Sequence, residues 1–236
     1  MNKHAVILAG GKGSRLRPYT VVLPKPLMPI GEYPILEVII RQLVKQGFTH
    51  ITLAVNHQAE LIAAFFGDGS KWGISINYSL EDQPLGTMGP LKLIKDLPEN
   101  FLVMNGDILT DLVYKDFFDA HVKNEALFSI SSHLREEMID YGVLQTKDNL
   151  LTGFKEKPRN SYEVSMGIYM LNKKVLDYIP ENMAFGFDQL MLSLLEKKKN
   201  VFVNTYAGLW LDIGRPDDYI EAIECFDQLK DKILYV

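Results

Sequence analysis

The fold is decided by the stretch Ala5-Val6-Ile7-Leu8-Ala9-Gly10-Gly11-Lys12-Gly13-Ser14-Arg15-Leu16-Arg17. Its first five residues form a short apolar run that glycines end, and such a run predicts a buried strand. The glycines that follow lack a Cβ atom, so backbone N–H groups there can approach an anion closely. Arg15 lies in the same loop, and a planar guanidinium matches phosphate oxygens two at a time. The stretch therefore favours a strand followed by a phosphate-binding loop over a simple structural turn.

Two other glycine-loop motifs fit this stretch less well. A dinucleotide-binding oxidoreductase requires Gly-x-Gly-x-x-Gly, and Leu16 stands where the third glycine belongs. The Walker phosphate loop requires Gly-Lys-Ser or Gly-Lys-Thr after four intervening residues, and the stretch lacks it. A second basic element, Lys25, lies between Pro24 and Pro26, which predict a stiff, extended segment. Lys25 is therefore either a second phosphate ligand or an exposed loop lysine.

Outward from this stretch, short apolar runs alternate with amphipathic ones. In the first half, strands are predicted at 5–9, 51–55, 74–79 and 101–104, and helices at 34–46, 60–66, 87–95 and 114–123. In the second half, strands are predicted at 126–131, 142–145, 151–155, 164–170, 201–206 and 209–211, and helices at 188–197 and 217–229. Strands that alternate with helices imply a mainly parallel sheet covered on both faces. We therefore expect an α/β fold, a Rossmann-like three-layer sandwich with a mainly parallel central sheet and a smaller mixed sheet.

Composition limits the classes of protein to consider. The 236 residues are 47% hydrophobic and 23% charged, which fits one domain over residues 1–236, with halves at 1–125 and 126–236. A net charge of −5 argues against a nucleic-acid-binding protein, and the single Cys225 cannot form an internal disulfide. No apolar run approaches the ~20 residues of a membrane helix, and the run before Gly10 is too short for a signal peptide. We expect a cytoplasmic protein that binds neither nucleic acid nor membrane.

Residues 8–16, followed by Pro24-Lys25-Pro26, resemble the signature of the nucleoside-triphosphate:sugar-1-phosphate nucleotidyltransferases. That family includes thymidylyl- and cytidylyltransferases that act on glucose 1-phosphate, and the mannose-1-phosphate guanylyltransferases. Further motifs follow in the family's order, so the resemblance covers nearly the whole chain. It implies an enzyme that joins a nucleotide from a nucleoside triphosphate to a sugar 1-phosphate and releases pyrophosphate. Arg15 and Lys25 would be its catalytic residues.

The resemblance also implies two nucleotide-binding loops in the first half of the chain. The glycine-rich loop would contribute Leu8, Ala9, Gly10, Gly11, Gly13 and Ser14, and a second loop would contribute Gln83, Gly86 and Thr87. Gln83 carries both a donor and an acceptor for a base edge, and Gly86 allows close approach. Thr87 can cap the helix that is predicted after it.

Two aspartates at predicted strand ends are candidate metal ligands. Asp107 follows the fourth strand, and ligands of an open parallel sheet bind beyond the carboxyl ends of its strands. Mg²⁺ takes oxygen ligands and often only one or two carboxylates, although Asn105-Gly106-Asp107 also suits a turn. The resemblance assigns both Asp107 and Asp212 to Mg²⁺.

Four residues of the second half would bind the sugar phosphate. The resemblance assigns Glu156 to sugar hydroxyls and Lys157 to the phosphate, whereas these residues alone would suggest a surface turn. Ser165 and Gly167 lie on a predicted strand that would form the acceptor site. The family usually has asparagine where Ser165 stands, and a serine reaches less far and offers fewer groups. The sugar is therefore left open.

Several alternatives remain at the level of sequence. By resemblance, the form of residues 84–87 is more typical of guanylyltransferases and some cytidylyltransferases than of the large thymidylyltransferases. We therefore favour GTP with a mannose- or heptose-type sugar 1-phosphate. A thymidylyl- or cytidylyltransferase that acts on glucose 1-phosphate or another phosphorylated metabolite is the alternative. A non-catalytic nucleotide-sugar-binding regulatory domain is an alternative of another class. A homodimer is also open, because Ile220, Ile223 and Phe226 can serve either the core or an interface.

Overall fold

The computed structural model describes residues 3–56 and 58–234, so the ends of the predicted domain, residues 1 and 236, lie outside the described residues. The described strands are β1 (Lys3–Leu8), β2 (Pro29–Ile30), β3 (Tyr33–Pro34), β4 (Phe48–Val55), β5 (Ser75–Leu80), β6 (Asn100–Asn105), β7 (Ile108–Thr110), β8 (Phe128–Met138), β9 (Val143–Lys147), β10 (Leu150–Lys155), β11 (Arg159–Asn172), β12 (Val201–Thr205) and β13 (Trp210–Asp212). The α-helices are α1 (Ile35–Lys45), α2 (Ala59–Phe66), α3 (Tyr114–Lys123), α4 (Phe187–Glu196) and α5 (Pro216–Leu234). None of the helices in these ranges combines the length and apolarity that crossing a membrane requires.

The central sheet has seven strands in the order β12-β8-β11-β6-β1-β4-β5. The pairs β6–β1, β1–β4, β4–β5 and β12–β8 are parallel. Only β11 is antiparallel to its neighbours, β6 and β8. The predicted α/β fold with a mainly parallel sheet is therefore confirmed.

Both faces of the sheet are covered, which makes three layers. Along β1, Ala5 and Ile7 join one apolar core, whereas Val6 joins the other, as the alternation of a strand requires. The first core packs against α1, α2, α3 and α5, and the second packs against α4 and the turn at Gly89–Leu93. Each aliphatic side chain buried in this way contributes about 1.5–3 kcal/mol to folding.

Three predicted elements differ clearly from the structure. The helix predicted at 87–95 is wrong, because Gly89–Leu93 forms a 3₁₀ turn instead. A glycine is a poor helix former, and the proline after it lacks an N–H to continue a helix. Strands β8 and β11 are longer than predicted, at 11 and 14 residues. Their outer ends pair with each other and stay exposed, so the apolar pattern does not mark them.

Three two-stranded antiparallel ribbons lie beside the large sheet: β2–β3, β9–β10 and β7–β13. The predicted smaller sheet takes this form, while β8, β11 and β12 join the central sheet. In the β7–β13 ribbon, Asp212 pairs with Ile108, and the N–H of Ile213 donates to the carbonyl of Asp107 at 3.0 Å. This ribbon therefore brings Asp107 and Asp212 together at one edge of the sheet.

Candidate active site

The glycine-rich loop leaves the carboxyl end of β1 and is held on both sides. The N–H of Ala9 donates to the carbonyl of Ala54, and the N–H of Gly106 donates to the carbonyl of Leu8. Beyond it, residues 14–16 form a 3₁₀ turn that buries Leu16, and the hydroxyl of Thr20 donates to the carbonyl of Gly13 at 2.6 Å. The loop is therefore anchored at each end, and Gly11 between the anchors is exposed.

A cleft of about 440 Å³ opens beside this loop, and we call it the loop cleft. Its lining comprises Leu8, Gly10, Gly11, Lys12, Ala54, Asn56, Glu81, Pro84, Gly86, Thr87, Pro90, Asn105 and Asp107. Five predicted nucleotide-binding residues are among them: Leu8, Gly10, Gly11, Gly86 and Thr87. Ala9 is buried behind the lining, and Gly13, Ser14 and Gln83 do not contribute to it.

Lys25 forms an ion pair with Asp107 at the base of the loop cleft. The Lys25 ammonium donates to Oδ2 of Asp107, and the lysine side chain is only 12% exposed. Lys25 begins a 3₁₀ turn that ends at Leu27, so the extended segment predicted here is wrong. Pro26 tolerates this turn because the first residues of a helix need no intrahelical N–H bond. The Lys25 ammonium is therefore fixed by its ion pair with Asp107, and Lys25 is not an exposed loop lysine.

The second predicted metal ligand shares the surroundings of this ion pair. Removal from bulk water and the neighbouring Asp107 carboxylate raise the pKa of Asp212, whereas Lys25 and Arg15 lower it. Desolvation is the larger of the two effects that raise the pKa, and the nearby like charge adds to it. The β7–β13 ribbon also places the two residues close together, because Asp212 pairs with Ile108 and the N–H of Ile213 donates to the carbonyl of Asp107. Asp107 and Asp212 therefore form a carboxylate pair with two cations beside it.

The carboxylate pair can accept a hard divalent cation. Oδ1 of Asp107 is buried and accepts no hydrogen bond from any residue that the structure describes. A buried carboxylate oxygen without a donor is costly unless a further partner completes its environment. Groups of three or more His, Cys, Asp and Glu side chains with metal-binding geometry are absent from residues 3–56 and 58–234. Two carboxylates suit Mg²⁺, which commonly takes its other ligands from water and phosphates.

A second cavity, of about 550 Å³, lies on the other side of the carboxylate pair, and we call it the arginine cavity. Its lining comprises Arg15, His133, Leu134, Arg135, Glu136, Glu137, Trp210, Leu211, Asp212, Gly214, Arg215, Asp218 and Glu221. Asp107 lines the loop cleft and Asp212 lines the arginine cavity, so the pair belongs to the wall between them. Two reactants bound in these spaces would meet at the carboxylates.

Glu81 is a candidate residue that the sequence analysis missed. It follows β5 directly, is 9% exposed and lines the loop cleft. Its Oε2 accepts the N–H of Leu85 at 2.9 Å, and its Oε1 faces Gly10, where an added Cβ would stand 3.0 Å away. Burial raises the pKa of Glu81, and the bond from Leu85 partly opposes that rise. The position at a strand end is the signal that could have found it.

Lys12, Asn56 and Asn105 also line the loop cleft and were not singled out by the sequence. The amide of Asn56 donates to the carbonyl of Glu81 at 3.2 Å, so Asn56 ties the β4 end to the β5 end. Gly167 packs against the Asn105 side chain, where an added Cβ would lie 2.6 Å from Nδ2. Gly167 therefore acts behind the cleft, and Asn105 forms part of its surface.

Thr87 caps a different helix from the one predicted. Its hydroxyl accepts the N–H of Phe187, the first residue of α4, at 2.8 Å. The residue before α4 is Gly186, which has no side chain to act as a cap. The prediction that Thr87 caps the segment after it is wrong, because that segment is a 3₁₀ turn.

The structure does not bring Glu156 and Lys157 to the carboxylate pair. Both are exposed and contribute to neither the loop cleft nor the arginine cavity. Lys157 instead pairs with Asp140 at 2.6 Å and adopts a positive φ of 42°. Ser165 is also engaged within the protein, since it donates to the Tyr169 hydroxyl and accepts the N–H of Gly167, both at 3.2 Å.

Comparison with known proteins gives consistent matches. A family model described as nucleotidyl transferase matches residues 4–228. The chain is 36% identical over 223 residues to D-glycero-alpha-D-manno-heptose 1-phosphate guanylyltransferase from Aneurinibacillus thermoaerophilus, covering 92% of this chain and 96% of that protein. It is 34% identical to mannose-1-phosphate guanyltransferase from Candida albicans over 92% of this chain, and it spans only 62% of that relative's length.

A solved structure has the same architecture. HddC from Yersinia pseudotuberculosis superposes with a TM-score of 0.74 at 28% identity, over 95% of this chain and 99% of that one. The same protein complexed with GMP-PN gives a TM-score of 0.73.

Proposed function

Because the chain belongs to the nucleotidyl transferase family, we propose that it transfers a nucleotidyl group from a nucleoside triphosphate to a sugar 1-phosphate. The observation that carries this proposal is the position of the carboxylate pair between the loop cleft and the arginine cavity. The loop cleft suits the nucleotide, because its glycine-rich wall exposes backbone near a lysine. The arginine cavity suits the phosphorylated acceptor, because arginines in its wall can pair with a phosphate and carboxylates there can accept hydrogen bonds from sugar hydroxyls.

In the proposed reaction, an oxygen of the sugar phosphate attacks the α-phosphorus of the nucleotide in line. The new oxygen–phosphorus bond forms as the bond to the β-phosphate oxygen breaks, and pyrophosphate leaves with that oxygen. The attacking phosphate is already ionised at neutral pH, so no general base is needed. Both reactants are anionic, and the protein's task is to hold them together and to offset their charge. Lys25 would offset charge at the α-phosphate. Arg15 lines the arginine cavity and not the loop cleft, so it would offset charge on the attacking sugar phosphate and not on the departing pyrophosphate.

We also propose Mg²⁺ as the cofactor, with Asp107 and Asp212 as its protein ligands. The buried, unpartnered Oδ1 of Asp107 and the closeness of Asp212 support this assignment. When bound, the ion would add positive charge beside the phosphates and help to fix their geometry. Lys25 would remain beside the ion, since it contacts the other oxygen of Asp107.

For the nucleotide we propose GTP, and we assign the base contact to Glu81 in place of Gln83. Guanine presents two donors, N1–H and the N2 amine, on one edge, whereas adenine presents an acceptor at N1. A carboxylate accepts two hydrogen bonds and donates none, so a buried one selects guanine. Glu81 lies in the loop cleft with Oε2 held by Leu85, and Gln83 does not line the cleft. The GMP-PN complex of HddC from Yersinia pseudotuberculosis also supports a guanine nucleotide.

For the acceptor we propose a mannose- or heptose-type sugar 1-phosphate. The names of the relatives from Candida albicans and Aneurinibacillus thermoaerophilus support these two sugars. Glu156 and Lys157 keep their proposed roles on the sugar and its phosphate only if the β9–β10 ribbon moves toward the arginine cavity. In the structure, Lys157 has a positive φ and forms an exposed pair with Asp140.

We further propose that the protein works in the cytoplasm as a homodimer. Ile220 and Ile223 are 47% and 45% exposed on adjacent turns of α5 and could form part of an interface. Phe226 is 3% exposed and belongs to the core. Of the three residues, Ile220 and Ile223 are therefore the ones available for an interface. Sedimentation of the purified protein before and after Ile223→Glu tests this assignment, and a monomeric wild-type protein would overturn it.

The test of function is a grid of nucleoside triphosphates against sugar 1-phosphates, scored by pyrophosphate release. We expect release with GTP and mannose or heptose 1-phosphate, and none without Mg²⁺. Inosine triphosphate lacks the N2 amine that the Glu81 carboxylate would bind. The ratio of kcat/KM for GTP to that for inosine triphosphate should therefore be smaller in Glu81→Gln than in the wild type. Nucleotide binding without pyrophosphate release from any pair would identify a binding domain and overturn the enzymatic proposal.

A further inference from the structure

Asp111 lies one residue beyond β7 and closes the far end of the β7–β13 ribbon. Its Oδ1 accepts two hydrogen bonds, from the hydroxyl of Tyr206 at 2.5 Å and from the N–H of Leu209 at 2.7 Å. The hydroxyl of the preceding residue, Thr110, donates to the carbonyl of Leu209 at 2.6 Å. Both polar backbone atoms of Leu209 are therefore held by two consecutive side chains.

The loop around Asp111 packs closely over Gly208, so a larger residue there would have to displace the Tyr206 and Asp111 side chains. A Cβ atom added there would lie 2.2 Å from the Tyr206 hydroxyl and 2.7 Å from Oδ1 of Asp111. Such distances are well inside van der Waals contact, so the backbone of Gly208 folds directly over the carboxylate. The contacts of Asp111 are thus built into the loop that leads into β13.

The ribbon itself is short and needs such support. It consists of three residue pairs: Trp210 with Thr110, Leu211 with Leu109, and Asp212 with Ile108. A two-stranded ribbon is at best marginally stable by itself. A slip of one residue would turn each side chain of the strand to the opposite face. The position of the Asp212 side chain therefore depends on the register that Asp111 and Thr110 fix at the other end.

We propose that Asp111 is a positioning residue, which locks the register of the β7–β13 ribbon through Tyr206 and Leu209 and so holds Asp212 opposite Asp107. This inference rests on the proposed role of the carboxylate pair in the reaction. Asp111 does not line the loop cleft or the arginine cavity, so its effect on turnover would pass through the ribbon.

The experiment compares Asp111→Ala with Asp111→Asn in the full chain. Asparagine keeps an oxygen that can accept both hydrogen bonds, whereas alanine removes it. We expect Asp111→Ala to lower kcat about 100-fold, the cost of a small misplacement of catalytic groups, with little change in KM for the nucleotide. Asp111→Asn should restore most of the turnover. Amide hydrogen exchange at Leu109 and Leu211 should be faster in Asp111→Ala alone.

Each outcome decides the inference. Unchanged amide exchange or unchanged kcat in Asp111→Ala would overturn it, and so would equal losses in the two variants. If Asp111→Ala does not fold, Tyr206→Phe removes one of the two bonds, and it should raise ribbon exchange and lower kcat to a smaller extent; wild-type values would overturn the inference. Asp212→Asn is assayed alongside. Full activity of Asp212→Asn would refute the role of the carboxylate pair. Amide hydrogen exchange at Leu109 and Leu211 in Asp111→Ala would still test whether Asp111 fixes the register of the β7–β13 ribbon.

Discussion

The hydroxyl of Thr87 accepts the backbone N–H of Phe187 at 2.8 Å, across a separation of 100 residues. Thr87 lines the loop cleft, and Phe187 begins α4, which packs on the sheet face opposite α1. The carbonyl of Phe185 also accepts the N–H groups of Met88 and Gly89, at 3.0 and 3.1 Å. The loop that carries Glu81 and Gly86 is therefore held in place by the start of a distant helix.

Replacing Thr87 with valine should reduce stability and loosen this loop. Valine keeps the shape but removes the acceptor for an N-terminal N–H, a loss of about 1 kcal/mol in the free energy of unfolding. Urea unfolding measures the loss, and KM for the nucleotide should rise with it. Thr87→Ser keeps the hydroxyl and is the matched control. Equal stability of the valine and serine variants would contradict the assigned cap.

Removing the Lys25 ammonium should damage both catalysis and the site itself. Lys25→Met leaves two carboxylates facing each other with one neighbouring cation fewer, and we expect kcat to fall about 100-fold or more. The control is Lys115→Met, which breaks an exposed Lys–Asp pair with Asp119 far from the cleft. That variant should keep full activity and nearly the stability of the wild type, because exposed ion pairs contribute little. Turnover near the wild-type value in Lys25→Met would remove Lys25 from the mechanism.

Gly10 and Gly11 offer a matched pair of substitutions. A Cβ added at Gly10 would stand 3.0 Å from Oε1 of Glu81, whereas one added at Gly11 has no protein atom within 4 Å. Gly10→Ala should displace the Glu81 carboxylate and lower the preference for GTP over inosine triphosphate several-fold. Gly11→Ala should leave that preference intact, because it does not touch Glu81. Steady-state kcat/KM for the two nucleotides measures the ratio, and equal ratios in both variants would argue against Glu81 as the base contact.

His121 should make the fold sensitive to acid. Its Nδ1 lies 2.7 Å from the Ser129 hydroxyl and its Nε2 lies 3.2 Å from Oδ1 of Asn100, which indicates a neutral ring with the proton on Nε2. Burial lowers the pKa of His121 to about 4. The unfolded chain takes up a proton below its usual pKa near 6.5, and the folded chain does not. Stability should therefore fall as the pH drops from 6.5 to 4, by up to about 3 kcal/mol from this residue.

Urea unfolding of wild type and His121→Asn at pH 7 and pH 4.5 measures this contribution. We expect the pH dependence to be smaller in the variant, since one buried titrating group is gone. Burial also lowers the pKa of His4 to about 4, so part of the slope should remain in His121→Asn and become smaller again in a variant that also lacks His4. An identical slope in wild type and His121→Asn would refute the assignment.

The elements that the sequence predicted best are those governed by local rules. The β1 strand and its glycine-rich loop follow from an apolar run that glycines end, and Asp107 follows from its position after β6. Asp212 was predicted from its strand end as well, yet its pairing with Asp107 depends on the β7–β13 ribbon, which long-range contacts create. The carboxylate pair could therefore be named from the sequence, but its geometry could not.

For three residues that the sequence analysis singled out, the surroundings depend on how separate segments of the chain meet. Gln83 was predicted because an amide both donates and accepts, but Glu81 directly follows β5 and lines the loop cleft, whereas Gln83 does not. Thr87 has a hydroxyl that can cap a helix, but the N–H that it accepts belongs to Phe187, in the second half of the chain. Lys157 carries the family's motif, yet Asp140 neutralises it in this conformation. In each case the side-chain chemistry could be described from the sequence, whereas the neighbours in space could not.

The ribbon that joins the two carboxylates also affects how the protein acquires its activity. Asp111 and Leu209 are 98 residues apart along the chain, and the intervening segment includes β8 to β12 and α3 and α4. Contacts of such long sequence separation form late and slowly, because closing the loop costs entropy before the contact repays it. A chain emerging from the ribosome can thus build β1, its glycine-rich loop and β6, but it holds only half of the carboxylate pair. On the proposed mechanism, chemical competence therefore requires β13, the strand nearest the C-terminal end of the residues that the structure describes.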